Sequence, residues 1–156
     1  MLRFVIFLCI LVFPLSGYAA EQLPVPRFVT IKATEANMRT GPNPRYPIKW
    51  VYNRKAYPVE VVAEFETWRK VRDKDGEEGW MHESLLSSRR SILINGKEER
   101  ILYRNPDTKA FMVARLEPGV QAELVSCDGK DWCRVKVDGN KGWIRKSAIW
   151  GVYGKE

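Results

Sequence analysis

The stretch Trp68–Leu86 is WRKVRDKDGEEGWMHESLL, and an altered copy of it returns at Trp132–Ile149 as WCRVKVDGNKGWIRKSAI. In both copies a Val follows the first Trp by three residues, and the second copy is one residue shorter before its Gly-Trp pair. An internal repeat of this kind indicates two similar structural units. The chain is therefore expected to contain one small fold twice.

Each copy has the pattern of a β-hairpin. Two short runs of strand-forming residues flank an Asp-Gly pair, which is the strongest local hairpin signal. Because side chains alternate along a strand, Val71 is expected to face inward and residues 68, 70 and 72 to face outward. In the second copy the same alternation places Cys133, Val135 and Val137 on one face of the strand. The other face has Trp132, Arg134 and Lys136.

The first twenty residues have the three-part pattern of a signal peptide. Arg3 precedes an uninterrupted apolar run from Phe4 to Phe13, and small residues follow around Ala19. The apolar run is about half the ~20 residues needed to cross a bilayer, which favours cleavage over a retained anchor. We therefore predict export to the periplasm, with no transmembrane segment after cleavage of residues 1–20.

The predicted mature chain is basic, and the charge is uneven. Without Arg3 it has 25 Lys and Arg against 19 Asp and Glu. Residues 21–88 have 11 basic and 10 acidic side chains, whereas residues 89–156 have 14 and 9. The second unit therefore has most of the positive field, which favours anionic partners.

The remaining sequence indicates short strands and turns. Strand patterns occur at residues 28–31, Ile48–Tyr52 and 58–63, and three prolines within six residues predict a stiff loop over Asn37–Pro47. Ser87–Arg100 is the predicted seam, where Asn95-Gly96 could turn a hairpin that connects the units. About five short strands per unit predict an all-β fold of two small barrels, at residues 27–90 and 91–156.

One family has these motifs. The pattern N-M-R-T-G-P-x-x-x-Y-P, then P-V-E-V-V, then W-x-x-V…D-G…G-W-M resembles bacterial SH3-like domains, in the tandem form of exported Gram-negative proteins. The resemblance covers nearly all of the mature chain and is weaker in the second unit, where Arg104-Asn105-Pro106 lacks the Gly. It implies two five-to-six-stranded SH3-like barrels with a binding or targeting role in the cell envelope.

The resemblance does not extend to the groove that binds proline-rich peptides in eukaryotic SH3 domains. That groove is lined by a strand Trp with further aromatic and Pro residues. Trp68 resembles the strand Trp, but His82 and Leu85 occupy the positions of the family's Pro and Tyr, and the second unit has Arg145 and Ala148 there. Recognition of such peptides is therefore not expected.

Catalysis and cofactors have little support in the composition. The chain has one His, so His-ligated metal sites and Ser-His or Cys-His nucleophiles lack their components. Glu77, Glu78 and Glu83 lie near Trp80 in sequence, but a charge run beside a hairpin is usually a solvated face. We expect a protein that is not an enzyme and holds no cofactor.

Aromatic and basic residues together suggest a binding face. We expect the loop of Arg45 and Tyr46 to lie close to a face formed by Trp68, Lys70, Arg72 and Trp80, with a weaker equivalent formed by Trp132, Arg134 and Trp143. Arg and Trp can pair with or stack on cell-wall peptides and acidic glycans. The alternative is that the Trp rings cap the barrel cores.

Two functions follow from these alternatives. The first is an envelope module that binds a cell-wall peptide, a glycan or a protein partner. The second is a structural adaptor in an envelope complex, with no small ligand. Small basic barrels also bind single-stranded nucleic acid, but a signal peptide argues against that partner.

Two cysteines remain once the signal peptide is removed. Cys127 and Cys133 bracket a short Gly- and Asp-containing segment that can reverse the chain. An even cysteine count in an oxidising compartment predicts a disulfide between them. Two buried free thiols are the alternative.

Overall fold

The computed structural model describes residues 23–156. The predicted signal peptide lies outside the described residues. Among residues 23–156, no helix has both the length and the apolar character needed to cross a bilayer. Strands joined by turns form this part of the chain, together with two 3₁₀ turns at Glu83–Leu85 and Lys146–Ala148.

The first unit is a seven-stranded antiparallel sheet with the strand order β3-β2-β6-β5-β4-β1-β7. Its last strand has two residues, so six substantial strands remain, as the resemblance implies. The strands are β1 Arg27–Ile31, β2 Ala36–Arg39, β3 Ile48–Tyr52, β4 Pro58–Phe65, β5 Trp68–Arg72, β6 Glu78–His82 and β7 Leu86–Ser87.

The second unit has the same topology, with the order β10-β9-β13-β12-β11-β8-β14. The predicted fold class, two small all-β units in tandem, is confirmed. The strands are β8 Ser91–Ile94, β9 Arg100–Tyr103, β10 Met112–Leu116, β11 Gln121–Cys127, β12 Trp132–Val137, β13 Asn140–Arg145 and β14 Ile149–Trp150.

Both Asp-Gly hairpins form. In the second unit Asp138 (φ 47°) and Gly139 (φ 81°) are the two central residues between the paired Val137 and Asn140, the positive-φ pair of a type I′ turn. In the first unit the loop has five residues between the paired Arg72 and Glu78, and the buried Asp73 accepts hydrogen bonds from two backbone N–H groups of this loop, at 2.9 and 3.0 Å.

The residues of the hairpin strands that were expected to face inward do so. Each unit also has its own hydrophobic core. Val71, Cys133 and Val135 are fully buried. The cores are Val29, Ile31, Ala36, Met38, Tyr52, Val59, Val61, Val71 and Met81 in the first unit, and Ile92, Ile94, Leu102, Leu116, Ala122, Cys133, Val135, Val137, Ile144, Ala148 and Ile149 in the second.

The Gly of each Gly-Trp pair allows two strands to approach closely. A Cβ at Gly79 would lie 2.5 Å from Met38 Cγ, and one at Gly142 would lie 2.6 Å from Leu102 Cγ. Both contacts are too short for a side chain at this position. The repeated Gly therefore permits β2 to pair with β6 and β9 to pair with β13.

Two sequence-based predictions are wrong. Asn37–Pro47 is not all loop, because β2 extends to Arg39 and pairs with β3 and with the distant β6. Asn95-Gly96 does not turn a hairpin between the units. It links β8 to β9 within the second unit, and β8 pairs instead with β11 and β14. In both cases the pairing partner is remote in sequence, so local turn chemistry does not reveal it.

The two units contact each other at two places. Arg54 donates to the Gly119 carbonyl at 3.1 Å, and the Gln121 amide donates to the Lys55 carbonyl at 3.1 Å. At the second place the Phe28 ring contacts the rings of Trp150 and Tyr153, with centroids 5.0 and 4.7 Å away. Residues after β14 therefore pack on the first unit.

Candidate functional site

A tryptophan between two cations marks the outer face of the first sheet. Lys70 on β5 and Arg39 on β2 are both directly opposite Trp80 on β6. Directly paired residues in a sheet project their side chains to the same face. The half-buried Trp80 ring is therefore flanked by a positive charge on each side.

The proline-containing loop is fixed to this face through Arg39. The Arg39 guanidinium donates to the Tyr46 carbonyl at 2.8 Å, and the Thr40 N–H donates to the Pro47 carbonyl at 3.1 Å. Arg45 and Tyr46 line a small cavity of about 310 Å³. The structure thus brings the predicted loop to the predicted face through Arg39, which the sequence did not single out.

Trp68 occupies a different environment from Trp80. Its side chain is 8% exposed, and its ring meets the His82 ring edge-on at a centroid distance of 5.4 Å. A buried ring cannot offer its face to a ligand. Trp68 therefore supports the barrel beside the candidate site, and Trp80 is the more accessible ring.

The two predicted cations on β5 are held by carboxylates. Lys70 Nζ lies 2.8 Å from Glu78, and this hydrogen bond lowers the pKa of Glu78. Arg72 donates twice to Glu60, from Nη2 at 2.6 Å and from Nε at 3.0 Å, and this hydrogen bond raises the pKa of Arg72. A ligand at this face has to compete with these carboxylates, most strongly at Arg72.

The corresponding face of the second unit has a related but different composition. Trp143 lies opposite Arg134 on β12 and opposite Tyr103 on β9. Trp132 is 7% exposed, with the Tyr103 ring at its edge and the Arg145 guanidinium 4.8 Å from its ring centroid. In the second unit only one of the two residues paired with Trp143 is a cation, whereas both residues paired with Trp80 in the first unit are cations.

Sequence reasoning also missed an exposed tryptophan. Trp50 on the edge strand β3 is 56% exposed, and its neighbours Ile48 and Val51 are exposed as well. In the second unit Met112, the first residue of the edge strand β10, and Phe111 just before it are exposed. Five alternating residues indicate a strand, but only the strand order shows that β3 is at an edge.

These domains have a recognisable family pattern. A family model described as bacterial SH3 domain matches the chain twice, at residues 32–88 and 96–151. The chain belongs to the bacterial SH3 domain family. The resemblance seen in the sequence is therefore confirmed, and the two matches cover β2 to β7 and β9 to β14. Domains of this family are generally binding modules.

Three solved structures are similar to this chain at low sequence identity. NlpC2 and NlpC1 from Trichomonas vaginalis are 12% and 14% identical, cover 84% and 86% of this chain and both have a TM-score of 0.38. An NlpC/P60 family protein from Bacillus cereus ATCC 10987 is 19% identical, covers 79% of this chain and has a TM-score of 0.35. This chain spans 50%, 49% and 55% of the three structures, in that order. No curated protein matches the chain.

Proposed function

We propose that this protein is an exported, non-catalytic binding module that holds a carboxylate-bearing cell-wall component against the face around Trp80. The observation that supports the proposal best is the position of Trp80 between Lys70 and Arg39. A ring flanked by cations offers stacking and charge-assisted hydrogen bonds to one ligand. Cell-wall peptides and acidic glycans have carboxylates suited to such a site.

The proposed compartment is the periplasm. A disulfide joins Cys127 and Cys133, and disulfides persist in oxidising compartments. The sequence pattern of residues 1–20 agrees with export. We predict that intact-mass measurement of protein from the native envelope gives a chain that begins near Ala20 or Glu21, whereas a retained Met1 would contradict export with cleavage.

The contributions of Tyr46 in the loop and of the cation Lys70 can be tested in one variant. We predict that the double variant Tyr46→Ala, Lys70→Ala weakens peptidoglycan pull-down by about tenfold, because it removes an exposed ring and one charge-assisted contact. Its free energy of unfolding should change by about 1 kcal/mol or less, the usual cost outside a core. Sedimentation with purified peptidoglycan measures the first quantity and urea unfolding the second.

The matched control is in the second domain. Phe111 is exposed and ends the corresponding loop, so Phe111→Ala removes an exposed ring without touching the Trp80 face. We expect this variant to bind peptidoglycan like the wild type. Equal binding by all three proteins would contradict the proposed face, and equal loss in both variants would show that exposed rings act non-specifically.

A second candidate function is that of an adaptor in an envelope protein complex. It is favoured by the exposed apolar side chains on and next to the two edge strands, above all Trp50 on β3 and Phe111 just before β10. Contiguous exposed apolar patches are typical of protein–protein interaction sites. Peptidoglycan binding that is absent in the wild type, with an envelope protein captured by the wild type and not by Trp50→Ala, would favour the adaptor.

A further inference from the structure

A large cleft lies between the two domains, away from the Trp80 face. Its volume is about 1150 Å³. The first domain contributes β1, the loop before β4 and the end of β7, and the second domain contributes β8 and β11. The residues at its wall include Ile31, Ala56, Ser87, Arg90, Gln121 and Leu124.

Hydrogen bonds between the domains fix the walls of the cleft. Ser91 Oγ donates to the Ala56 carbonyl at 2.6 Å, and Gln121 Nε2 donates to the Lys55 carbonyl at 3.1 Å. All four residues line the cleft. A site whose walls are already ordered loses little conformational entropy when a ligand enters.

The cleft has a strong excess of positive charge. Lys32, Lys55, Arg89 and Arg90 line it together with a single carboxylate, Glu123. Arg90 pairs with Glu156 at 3.0 Å, but Lys32, Lys55 and Arg89 have no carboxylate within 4.0 Å among residues 23–156. A cleft lined by one sign of charge concentrates the field and attracts the opposite charge.

Two polar atoms of the cleft residues are buried without a partner. They are Arg90 Nε, a hydrogen-bond donor, and Gln121 Oε1, an acceptor. Leaving such an atom unpaired is costly, and few are found in folded proteins. Because both atoms are shielded from solvent, the exposed cations of the cleft, and not these two atoms, are the groups that a ligand can reach.

We propose that the cleft between the two domains binds an extended peptide segment with free carboxylates. The carboxylates of such a peptide match the charges of Lys32, Lys55 and Arg89. The cleft is also lined by Ala33, Ala56 and Ala122, whose methyl groups suit small apolar side chains of a peptide. The lining residues within 23–156 include no aromatic ring on which a sugar or a base would stack.

A nuclear magnetic resonance titration of ¹⁵N-labelled protein, expressed from the complete sequence, tests this proposal. The probe is the peptide acetyl-Ala-Glu-Ala-Ala with a free C-terminal carboxylate, and the neutral comparison is acetyl-Ala-Gln-Ala-Ala amide. We expect the charged peptide to shift the amide resonances of Ala56, Ser87 and Ala122, with a Kd below about 1 mM. The neutral peptide should bind at least about tenfold more weakly.

Matched charge variants identify the cleft as the site. Lys32→Ala, Arg89→Ala removes two exposed cleft cations, and Lys136→Ala, Lys141→Ala removes two exposed cations from the β12–β13 hairpin, outside the cleft. We expect the first variant to bind the charged peptide about tenfold more weakly and the second to bind like the wild type.

Three results would overturn the proposal. They are no binding of the charged peptide, equal weakening in the two double variants, or binding of inorganic phosphate but not of the peptide. The proposal does not depend on the Trp80 face, because the Tyr46 and Lys70 variant leaves the cleft residues intact. Failure at one site is therefore distinguishable from failure at the other.

Discussion

The glycine of the first loop is explained by one aromatic side chain. A Cβ at Gly41 would lie 2.6 Å from the Tyr46 ring, which packs directly on the glycine backbone. The loop Arg104–Phe111 repeats the hydrogen bonds of the Thr40–Pro47 loop, so Asn105 corresponds to Gly41 and Ala110 to Tyr46. The second loop has no aromatic ring at the position of Tyr46. It can therefore have a side chain at Asn105, where the first loop needs a glycine.

Substitutions at Gly41 and Tyr46 are therefore expected to be coupled. Gly41→Ala alone should destabilise the protein by about 1–3 kcal/mol, because the added carbon displaces the Tyr46 ring. In a Tyr46→Ala background the same change should cost about 0.5 kcal/mol or less, since the space is then open. A double-mutant cycle of urea unfolding measures the coupling.

Gly154 provides the control, because a Cβ there meets nothing within 4 Å. We expect Gly154→Ala to leave the free energy of unfolding unchanged within about 0.5 kcal/mol. A cost for Gly41→Ala that persists in the Tyr46→Ala background would show that the backbone, and not the ring, requires the glycine.

At the level of elements, the β11–β12 hairpin is closed by the disulfide that the sequence predicts. Cys127 and Cys133 are directly paired across the two strands, with their Cα atoms 4.0 Å apart. Asp128 orders the turn by accepting from the N–H groups of Lys130 and Trp132, at 2.7 and 3.1 Å. Desolvation acts to raise the pKa of Asp128, but these backbone hydrogen bonds act to lower it. The pKa of Asp128 lies below its ordinary value as a result.

The disulfide is expected to add a modest amount to the stability of this hairpin. Closing so short a loop restricts the unfolded chain little, so the double variant Cys127→Ala, Cys133→Ala should lose about 2 kcal/mol. Urea unfolding of the variant and of oxidised wild type measures the difference. The variant should be insensitive to reductant, whereas reduced wild type should lose a similar amount of stability.

A thiol assay checks the state of the cysteines directly. Denatured, unreduced protein from the periplasm should contain no reactive thiol at Cys127 or Cys133. Two reactive thiols would show that the pair is not joined in the cell, whatever the stability of the purified variants.

At the scale of the whole molecule, a buried carboxylate connects the two domains. Glu60 of the first domain accepts from the Tyr153 hydroxyl of the second at 2.8 Å and from Arg72 on the other oxygen. Glu60 is buried, so its oxygens need these donors. Burial, and then the hydrogen bond to Glu60, raise the pKa of Tyr153 above its ordinary value.

We predict that Tyr153→Phe weakens the connection between the domains. The variant leaves one oxygen of Glu60 without its donor, which should cost about 1–2 kcal/mol of stability at neutral pH. Calorimetry measures this as a lower Tm and tests whether the domains then unfold in separate steps. The exposed Tyr46 provides the control, because Tyr46→Phe should leave the Tm unchanged.

The same contact predicts a dependence on alkaline pH. Because the pKa of Tyr153 is raised in the folded state, its stabilising contribution is complete below the unfolded pKa of about 10 and is lost as the pH rises further. The stability difference between wild type and Tyr153→Phe should therefore shrink above about pH 10. A difference that stays constant to pH 11 would contradict the role of this hydroxyl.

The candidate site was only partly predictable from the sequence. Strand alternation placed Lys70 with Arg72 on the outer face, and the prolines indicated the loop of Arg45 and Tyr46. The contribution of Arg39 could not be predicted, because it depends on the pairing of β2 with β6, which is about forty residues away in sequence. The burial of Trp68 likewise depends on the end of β6, where His82 meets its ring.

The sequence by itself determined the repeat, the all-β class, the two hairpins and the disulfide. All of these rest on local chemistry: alternating side chains, Asp-Gly turns and two cysteines six residues apart. The tertiary structure alone decided which tryptophans are buried, which strands are at an edge and how the domains meet. The cleft and the Glu60–Tyr153 contact join residues remote in the chain, and no local pattern encodes such pairings.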